Sequence, residues 1–281
     1  MNLTGKIHLL QIDFEIVLGP DRKIPRFVNV LLILADKITI VDTGVKGSEK
    51  RIFQYLVDNN RDPSEIDTII LSHAHPDHIG SAARIKELTG CKIMAHRLEK
   101  DWIENIELQS EQRPVPGFFH LVDTPVTVDE YIEDQQTIQI DAGINMTCTL
   151  SAGHSMGMLN LLFEEDKLFF TADSIPLKND IPNYHSYPDL KSSLDRIIKQ
   201  EGYNMMLTSW TQPLTGLQEI KALISEGETY LEKIDAVVKE FYTGNDNGSL
   251  EECSKVVEKM GLPPFLVTPV VDQAFRSHLA R

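Results

Sequence analysis

The residues with the clearest chemical potential lie together, from Ser72 to His78, in the order Ser-His-Ala-His-Pro-Asp-His. Three imidazoles and one carboxylate therefore fall within six consecutive positions. Imidazole and carboxylate groups are the side chains that bind zinc, iron and manganese in proteins. The alternative is a polar loop with surface histidines, but histidines at this density are typical of a ligand cluster. The segment predicts a metal-dependent enzyme.

An apolar run precedes the cluster and predicts how its side chains are presented. Residues 69–71 indicate a short buried strand, because they are apolar and rich in branched side chains. If the backbone stays extended beyond the strand, His73 and His75 point the same way, since side chains alternate along extended chain. Both imidazoles then reach one ion. Asp77 and His78 lie past this extended piece, at the start of a helix, where they could reach a second ion.

Two later segments carry further candidate ligands at the ends of predicted strands. His154 follows a strand over residues 145–150 and has small neighbours, which allow the backbone to approach a metal closely. Asp173 ends a strand over residues 168–171, where a carboxylate is well placed to bridge two cations. Taken singly, each residue also fits an ordinary turn. The order of the segments along the chain favours the ligand interpretation.

Four motifs in this order resemble the metallo-β-lactamase superfamily, in particular its glyoxalase II-like and lactonase-like hydrolases. They are Val41-Asp42-Thr43-Gly44, the histidine cluster, Ala152-Gly153-His154-Ser155 and Ala172-Asp173-Ser174. The resemblance covers about residues 5–215, and its most specific part is the histidine cluster. The family uses one or two divalent metal ions, so the resemblance implies zinc as the first choice, with iron and manganese as alternatives.

The resemblance also implies a role for each residue of the site. The first metal would be held by His73, His75 and His154. Asp77 and His78 would belong to the second metal, and Asp173 would bridge the two. Asp42 would orient the site from outside the ligand shell. Asp77 would also be catalytic, because it would orient the nucleophile and accept its proton.

One departure from the family pattern concerns the second metal. Family members usually supply another histidine at the end of a later strand, and Trp210 occupies the matching position here. An indole nitrogen is only a donor and cannot ligate a cation. The sequence leaves two main outcomes open: one tightly bound metal with a weak second, or two metals with a substitute ligand. His185, in a loop after Asp173, is the candidate substitute or pocket residue; a solvated loop histidine is the other interpretation.

The implied fold is α+β, a four-layer αββα sandwich of two mixed sheets with a C-terminal helical extension. Periodicity alone predicts only a strand-rich protein with helices outside the sheets; the sandwich comes from the resemblance. We assign residues 1–213 to the catalytic domain and 214–281 to the extension, with a linker at 244–248. The extension could cover the substrate mouth, pair with a second copy in a homodimer, or pack as a buttress. Residues 108–127, rich in proline, predict an irregular lid or binding loop.

Composition limits the partners and the compartment. The formal net charge is −15, from 27 basic and 42 acidic residues. Nucleic-acid surfaces are basic, so we expect no nucleic-acid partner. Three cysteines without a Cys-x-x-Cys pair are typical of reduced thiols. The first residues contain no apolar signal segment, and no run is long enough to span a bilayer, so we expect a cytoplasmic protein without a membrane partner.

The predicted activity is hydrolysis of a small-molecule substrate by a metal-bound hydroxide. The resemblance implies a small thioester, ester or lactone. Two other functions stay open at this point. One is oxidation of a thiol or persulfide at a mononuclear iron, in the manner of a dioxygenase, which tolerates the loss of a second metal. The other is a non-catalytic metal-binding regulator that keeps the same scaffold.

Overall fold

Seven strands form the first of two mixed sheets in the computed structural model, which describes residues 1–19, 22–243 and 249–279. In spatial order they are β1 (Asn2–Thr4), β2 (Ile7–Gly19), β3 (Arg22–Leu34), β4 (Ile38–Val41), β5 (Ile66–Ile70), β6 (Lys92–His96) and β7 (Glu130–Ile132). The pairs from β1 to β4 are antiparallel, and those from β4 to β7 are parallel.

The second sheet has five strands in the described residues. Their ranges are β8 (Gln136–Asp141), β9 (Ile144–Leu150), β10 (Leu159–Phe163), β11 (Leu168–Phe170) and β12 (Met205–Leu207). The spatial order is β12-β11-β10-β9-β8, and only β11 and β12 pair in parallel. Strands β9, β11 and β12 therefore run in one direction, and their carboxyl ends meet at the same edge of the sheet.

Alternating side chains of the central strands enter two different cores, as the period of two along a strand requires. In β2, Leu9 packs between the two sheets, whereas Leu10 packs against helices on the outer face of the first sheet. In β5, Ile70 and Ile69 are divided in the same way. The centre of the first sheet is thus buried on both faces, which explains why β4 and the second half of β3 are mostly apolar.

Helices cover the outer face of each sheet. On the first sheet lie α1 (Glu49–Asp58), α2 (Pro76–Ile79), α3 (Ala82–Thr89), α4 (Lys100–Glu104), α5 (Ile106–Gln112) and α6 (Phe118–Leu121). The second sheet is covered by α7 (Tyr187–Lys199) and α8 (Leu217–Phe241), with α9 (Glu251–Met260) and α10 (Pro269–Arg276) packed on α8. Short 3₁₀ helices span Pro63–Glu65, Arg97–Glu99, Pro264–Leu266 and Ser277–Leu279.

The predicted fold class is confirmed: two mixed sheets lie between helical layers, and the C-terminal region is helical. One expectation was wrong in part. Residues 108–127 are not wholly irregular, because α5 extends into them and α6 lies within them. The division of the chain at residue 213 stays a prediction, and the predicted linker at 244–248 lies outside the described residues. None of the described helices combines the length and the apolar character needed to cross a membrane.

Candidate metal centre

The predicted ligands lie in the segments that come directly after the carboxyl ends of strands. Strands β4 and β5 are parallel neighbours in one sheet, and β9, β11 and β12 share a direction in the other. The corresponding ends lie at one edge of the sandwich, which is where open α/β sheets present their ligands. The residues that emerge there are Asp42 after β4, His73 and His75 after β5, His154 after β9, Asp173 after β11 and Trp210 after β12.

Three buried imidazoles converge on one point. Nε2 of His73 lies 3.0 Å from Nδ1 of His75, which lies 2.8 Å from Nε2 of His154. Tetrahedral zinc with nitrogen ligands at about 2.0–2.1 Å would hold its ligand atoms roughly 3.3 Å apart. Both separations are a few tenths of an ångström shorter than that value, and all three nitrogens lie within 4.8 Å of one another. These side chains therefore fit the first metal position, and they come from two different sheets.

A second group of ligand atoms lies beside the first. Nε2 of His78 is 3.5 Å from Oδ1 of Asp173 and 3.8 Å from Oδ2 of Asp77. Among the described residues, neither Nε2 of His78 nor Oδ1 of Asp173 has a hydrogen-bond partner, although both atoms are buried. Buried polar atoms without partners are costly and rare, so a pair that faces each other fits a cation between them. Asp173 also approaches the first group, with Oδ2 at 3.3 Å from Nε2 of His154.

Asp42 fixes this arrangement from behind. Its fully buried carboxylate accepts hydrogen bonds from the backbone N–H of Ser72 at 2.7 Å and from the Ser72 hydroxyl at 2.7 Å. It also lies 2.9 Å from Nδ1 of His78. The carboxylate requires a proton on that nitrogen, so Nε2 of His78 is the atom turned toward the cation position. Asp42 has a positive φ of 61°, a strained conformation for a residue with a side chain.

The charges of the site follow from burial and from these carboxylates. Burial lowers the pKa of His73, His75 and His154 well below the ordinary value, so these imidazoles are neutral and can ligate. Burial also acts to lower the pKa of His78, but the charges of Asp173, Asp42 and Asp77 outweigh it and raise that pKa to about 10. A cation that binds there takes the place of the His78 proton.

Trp210 lies beside the second group of ligand atoms, where it contacts both Asp173 and His78. Its indole N–H donates to Oδ2 of Asp173 at 2.8 Å, and its ring meets that of His78 edge-on with centroids 6.2 Å apart. The guanidinium of Arg26 covers the indole face, 4.7 Å from the ring centroid. The tryptophan therefore holds one oxygen of the carboxylate that would bridge two ions, and contributes no ligand.

The structure does not bring His185 into the cluster. Its side chain is exposed and lies in a T-shaped arrangement with Trp102, with ring centroids 6.4 Å apart. Its backbone N–H, however, donates to the carbonyl of Gly153 at 2.8 Å and so supports the loop that carries His154. Among the described residues no side chain replaces the missing histidine ligand, and the two ligand groups found are His73 with His75 and His154, and His73 with His78 and Asp173.

Glu99 joins the two loops that carry the imidazoles. Its fully buried carboxylate accepts a hydrogen bond at 2.8 Å from the backbone N–H of Ala74, which lies between the first two histidines. It also accepts from the Ser155 hydroxyl at 2.7 Å and from the backbone N–H of Gly157, on the other loop. Burial raises the pKa of Glu99, and these donors oppose that effect. No sequence motif marks Glu99, because its three partners lie 25 to 58 residues away.

A cavity opens beside the cation positions. Asp77, His154, Asp173 and Trp210 form its floor. Its walls are mostly apolar and come from several elements, including Phe14 of β2, Val115, Leu121, Ile175, Leu190 of α7 and Ile234 of α8. Arg113, at the end of α5, also lines it. A catalytic metal site keeps an open coordination position, in contrast to a structural one, and this cavity gives access to such a position.

Comparison with known proteins agrees with the fold. The profile of the metallo-beta-lactamase superfamily matches residues 24–204. The chain is 27% identical over 143 residues to a probable metallo-hydrolase of Bacillus subtilis, YqgX. This match covers 50% of this chain and 63% of the relative. It is 24% identical over 148 residues to the hydroxyacylglutathione hydrolase GloC of Haemophilus influenzae, covering 52% of this chain and 65% of the relative. The chain thus matches somewhat less than two thirds of each of these relatives.

A solved structure supports the same fold over nearly the whole chain. The metallo-beta-lactamase family protein TTHA1429 of Thermus thermophilus superimposes with a TM-score of 0.72 at 17% identity, covering 97% of this chain and 93% of that one. The four-layer architecture agrees with the profile match over residues 24–204, and the chain belongs to the metallo-beta-lactamase superfamily.

Proposed function

We propose that the protein is a metal-dependent hydrolase of a small thioester, ester or lactone, with one tightly bound divalent ion at His73, His75 and His154. The observation that carries this proposal is the convergence of three neutral imidazole nitrogens beside a cavity. An ion bound there would lower the pKa of water from 15.7 to about 7 and so supply hydroxide at neutral pH. The similarity to a hydroxyacylglutathione hydrolase favours a thioester.

The protein's own groups have separate tasks in this reaction. Asp77 lies on the cavity floor, where its carboxylate can orient the attacking water and accept its proton. Asp173 lies between the two ligand groups, and the indole N–H of Trp210 fixes its orientation. The apolar walls exclude bulk water from the acyl group, which strengthens the electrostatic interactions within the site.

The arrangement also favours weak binding of a second ion. Among the described residues, that position has His78, Asp77 and one oxygen of Asp173, with His73 shared with the first group, because Trp210 supplies a donor instead of a lone pair. The same feature favours a second candidate function, oxidation of a thiol or persulfide at a single iron, since such chemistry needs one ion and an open position. The metal that copurifies with the protein separates the two functions.

The test begins with elemental analysis of protein purified without added metal, followed by reloading with zinc, manganese or, under anaerobic conditions, iron. Each form is assayed with a panel of thioesters, esters, lactones and phosphodiesters. We expect thioester, ester or lactone hydrolysis, and expect His75→Ala to lose most metal and activity because a ligand is removed. His120→Ala, at an exposed histidine, is the control. One iron per chain with oxygen uptake in place of hydrolysis would establish the second candidate instead.

A further inference from the structure

Arg113 is a buried cation that the proposed reaction does not use. Only 8% of the residue is exposed, and its guanidinium lines the cavity that also contains Asp77, His154 and Asp173. Its hydrogen bond goes from Nη2 to the backbone carbonyl of Asn183 at 3.2 Å. Within the part of the chain that the structure describes, no carboxylate lies close enough to form an ion pair with it.

A bound metal ion would make the unpaired charge of the buried Arg113 guanidinium more unfavourable. In the absence of a cation, Asp77, Asp173 and Glu99 partly balance the charge of Arg113 across the cavity, although burial lowers its pKa to about 10. A divalent ion held by the ligand groups would neutralise the charges of Asp77 and Asp173 and add positive charge near Arg113. A buried guanidinium is unfavourable unless it is paired, so a metal-loaded site would stabilise an anion from outside the chain beside Arg113.

Arg26 lines the same cavity but, unlike Arg113, has an ion-pair partner within the chain. Its guanidinium forms a two-pronged ion pair with Asp180, with both N–O distances at 2.8 Å, and stacks on Trp210. Its charge is therefore already balanced within the chain. Arg113 has the same fork of donors and no such partner, which makes it the cation available to a ligand.

The shape of the cavity limits what that ligand can be. Its volume is about 110 Å³, somewhat less than the roughly 150 Å³ that hold one benzene molecule. The walls beyond Arg113 are mostly apolar. We propose that Arg113 binds a carboxylate of the substrate, so that the enzyme prefers small acyl substrates that carry an acid group apart from the scissile bond. The planar guanidinium matches a carboxylate with two parallel hydrogen bonds.

This inference rests on the proposed hydrolase function, and its test uses two matched thioesters. S-ethyl thiobutanoate is neutral, whereas the S-ethyl monothioester of succinic acid has a similar length and one carboxylate. With the zinc-loaded full chain we expect a higher kcat/KM for the acidic substrate. Arg113→Met should reduce the ratio of the two kcat/KM values at least about tenfold, mainly through KM, because a charge-assisted hydrogen bond is lost.

Two further variants separate recognition from structural damage. Arg113→Lys keeps the charge but loses the fork, and we expect an intermediate ratio. Arg84→Met removes an exposed arginine of α3 that pairs with Glu87, and should keep the wild-type ratio. Equal kcat/KM values for the two thioesters in the wild type, or an equal loss for both in Arg113→Met, would overturn the role of Arg113.

A binding measurement keeps the inference testable if neither thioester is hydrolysed, an outcome that would count against the hydrolase function alone. Succinate is titrated calorimetrically into the zinc-loaded wild type, Arg113→Met and Arg84→Met. We expect binding in the wild type and in Arg84→Met, and an affinity at least about tenfold lower in Arg113→Met. The same affinity in all three proteins, or no binding to the wild type, would exclude a carboxylate site at Arg113.

Discussion

At the scale of single residues, the site depends on groups that hold the ligands as much as on the ligands. Asp42 selects the nitrogen that His78 presents, Glu99 links the two imidazole loops, and Trp210 holds Asp173. Such outer groups typically change metal affinity or activity by about 10- to 100-fold when they are altered. Each can therefore be tested by metal binding, independently of any substrate.

Glu99→Gln should weaken zinc binding by about tenfold or more, because the glutamine amide replaces one acceptor oxygen with an N–H group that faces other donors. Zinc affinity is measured by competition with a chromophoric chelator. Glu104→Gln is the matched control, since the Glu104 carboxylate also accepts a backbone N–H, that of Val128, but at a distance from the histidines. Equal affinities in both variants would contradict a role for Glu99 in positioning the ligands.

Trp210→His should raise the zinc content from about one toward two ions per chain, because a ligand nitrogen replaces the indole donor. The measurement is elemental analysis after dialysis against a defined free zinc concentration. Trp210→Phe removes the hydrogen bond to Asp173 without adding a ligand. It therefore separates the effect of losing this hydrogen bond from the effect of gaining an imidazole. An unchanged zinc content in Trp210→His would show that residue 210 lies outside the second metal position.

At the scale of elements, the loop between β9 and β10 is fitted against the start of α7. Gly153 has a φ of +131°, and a Cβ atom there would lie 2.3 Å from both the Cα and the backbone N of Leu190. The carbonyl of Gly153 accepts the N–H of His185 at 2.8 Å and that of Ser186 at 2.9 Å. The glycine thus permits the close approach that places the neighbouring His154 at the metal.

Gly153→Ala should lower the free energy of unfolding by about 2–4 kcal/mol and weaken zinc binding, because the helix and the loop must separate. Urea unfolding and the chelator competition measure the two effects. Gly202→Ala is the control: Gly202 also has a positive φ, of +90°, but a Cβ there meets only Leu162, at 3.9 Å. It should show backbone strain of about 1 kcal/mol and normal zinc affinity. Similar losses in both variants would mean that contact with α7 is unimportant.

At the scale of the whole molecule, the C-terminal helices are continuous with the cavity. Tyr230 and Ile234 of α8 line it, together with Tyr184. The Tyr184 hydroxyl forms a hydrogen bond with Nε2 of His278, whose other nitrogen lies 3.1 Å from Oδ1 of Asp235 in α8. These hydrogen bonds join the end of the described chain to the cavity wall, and burial favours the neutral form of His278 by lowering its pKa.

Protonation of His278 should destabilise the protein in acid. Burial lowers its pKa from 6.5 to about 4, despite Asp235. The unfolded chain therefore binds the proton more readily, so this contribution to stability is complete above pH 6.5 and is lost as the pH falls toward 4. The full loss amounts to about 3 kcal/mol. Urea unfolding between these pH values, with EDTA present to remove metal effects, measures it.

His278→Asn should be less stable than the wild type near neutral pH but lose less stability on acidification, because the titrating group is gone. His120→Asn, at an exposed histidine, should keep the wild-type pH dependence. If the free energy of unfolding changed with pH in the same way in His278→Asn and in the wild type, the pKa of His278 would not differ between the folded and unfolded chain as expected.

The sequence by itself predicted the fold class and the group of ligands. Strand periods are local, so they predict a strand-rich protein with outer helices, while the four-layer sandwich itself came from the resemblance to a family. The spacing of His73, His75, Asp77 and His78 is a property of one short segment, so it can be recognised without knowing the fold. The motifs after later strands added His154 and Asp173 through their resemblance to a family.

Only the tertiary structure decided which groups hold these ligands in place and which side chains line the cavity beside them. Glu99, Arg113 and the contact between Trp210 and Asp173 join segments far apart in the chain, and no local pattern encodes such pairs. His185 had the right residue type, but its exposed side chain lies away from the cluster because its backbone follows the His154 loop. The sequence determines which chemical groups are present, whereas the distances between these groups and their burial depend on how the two sheets pack together.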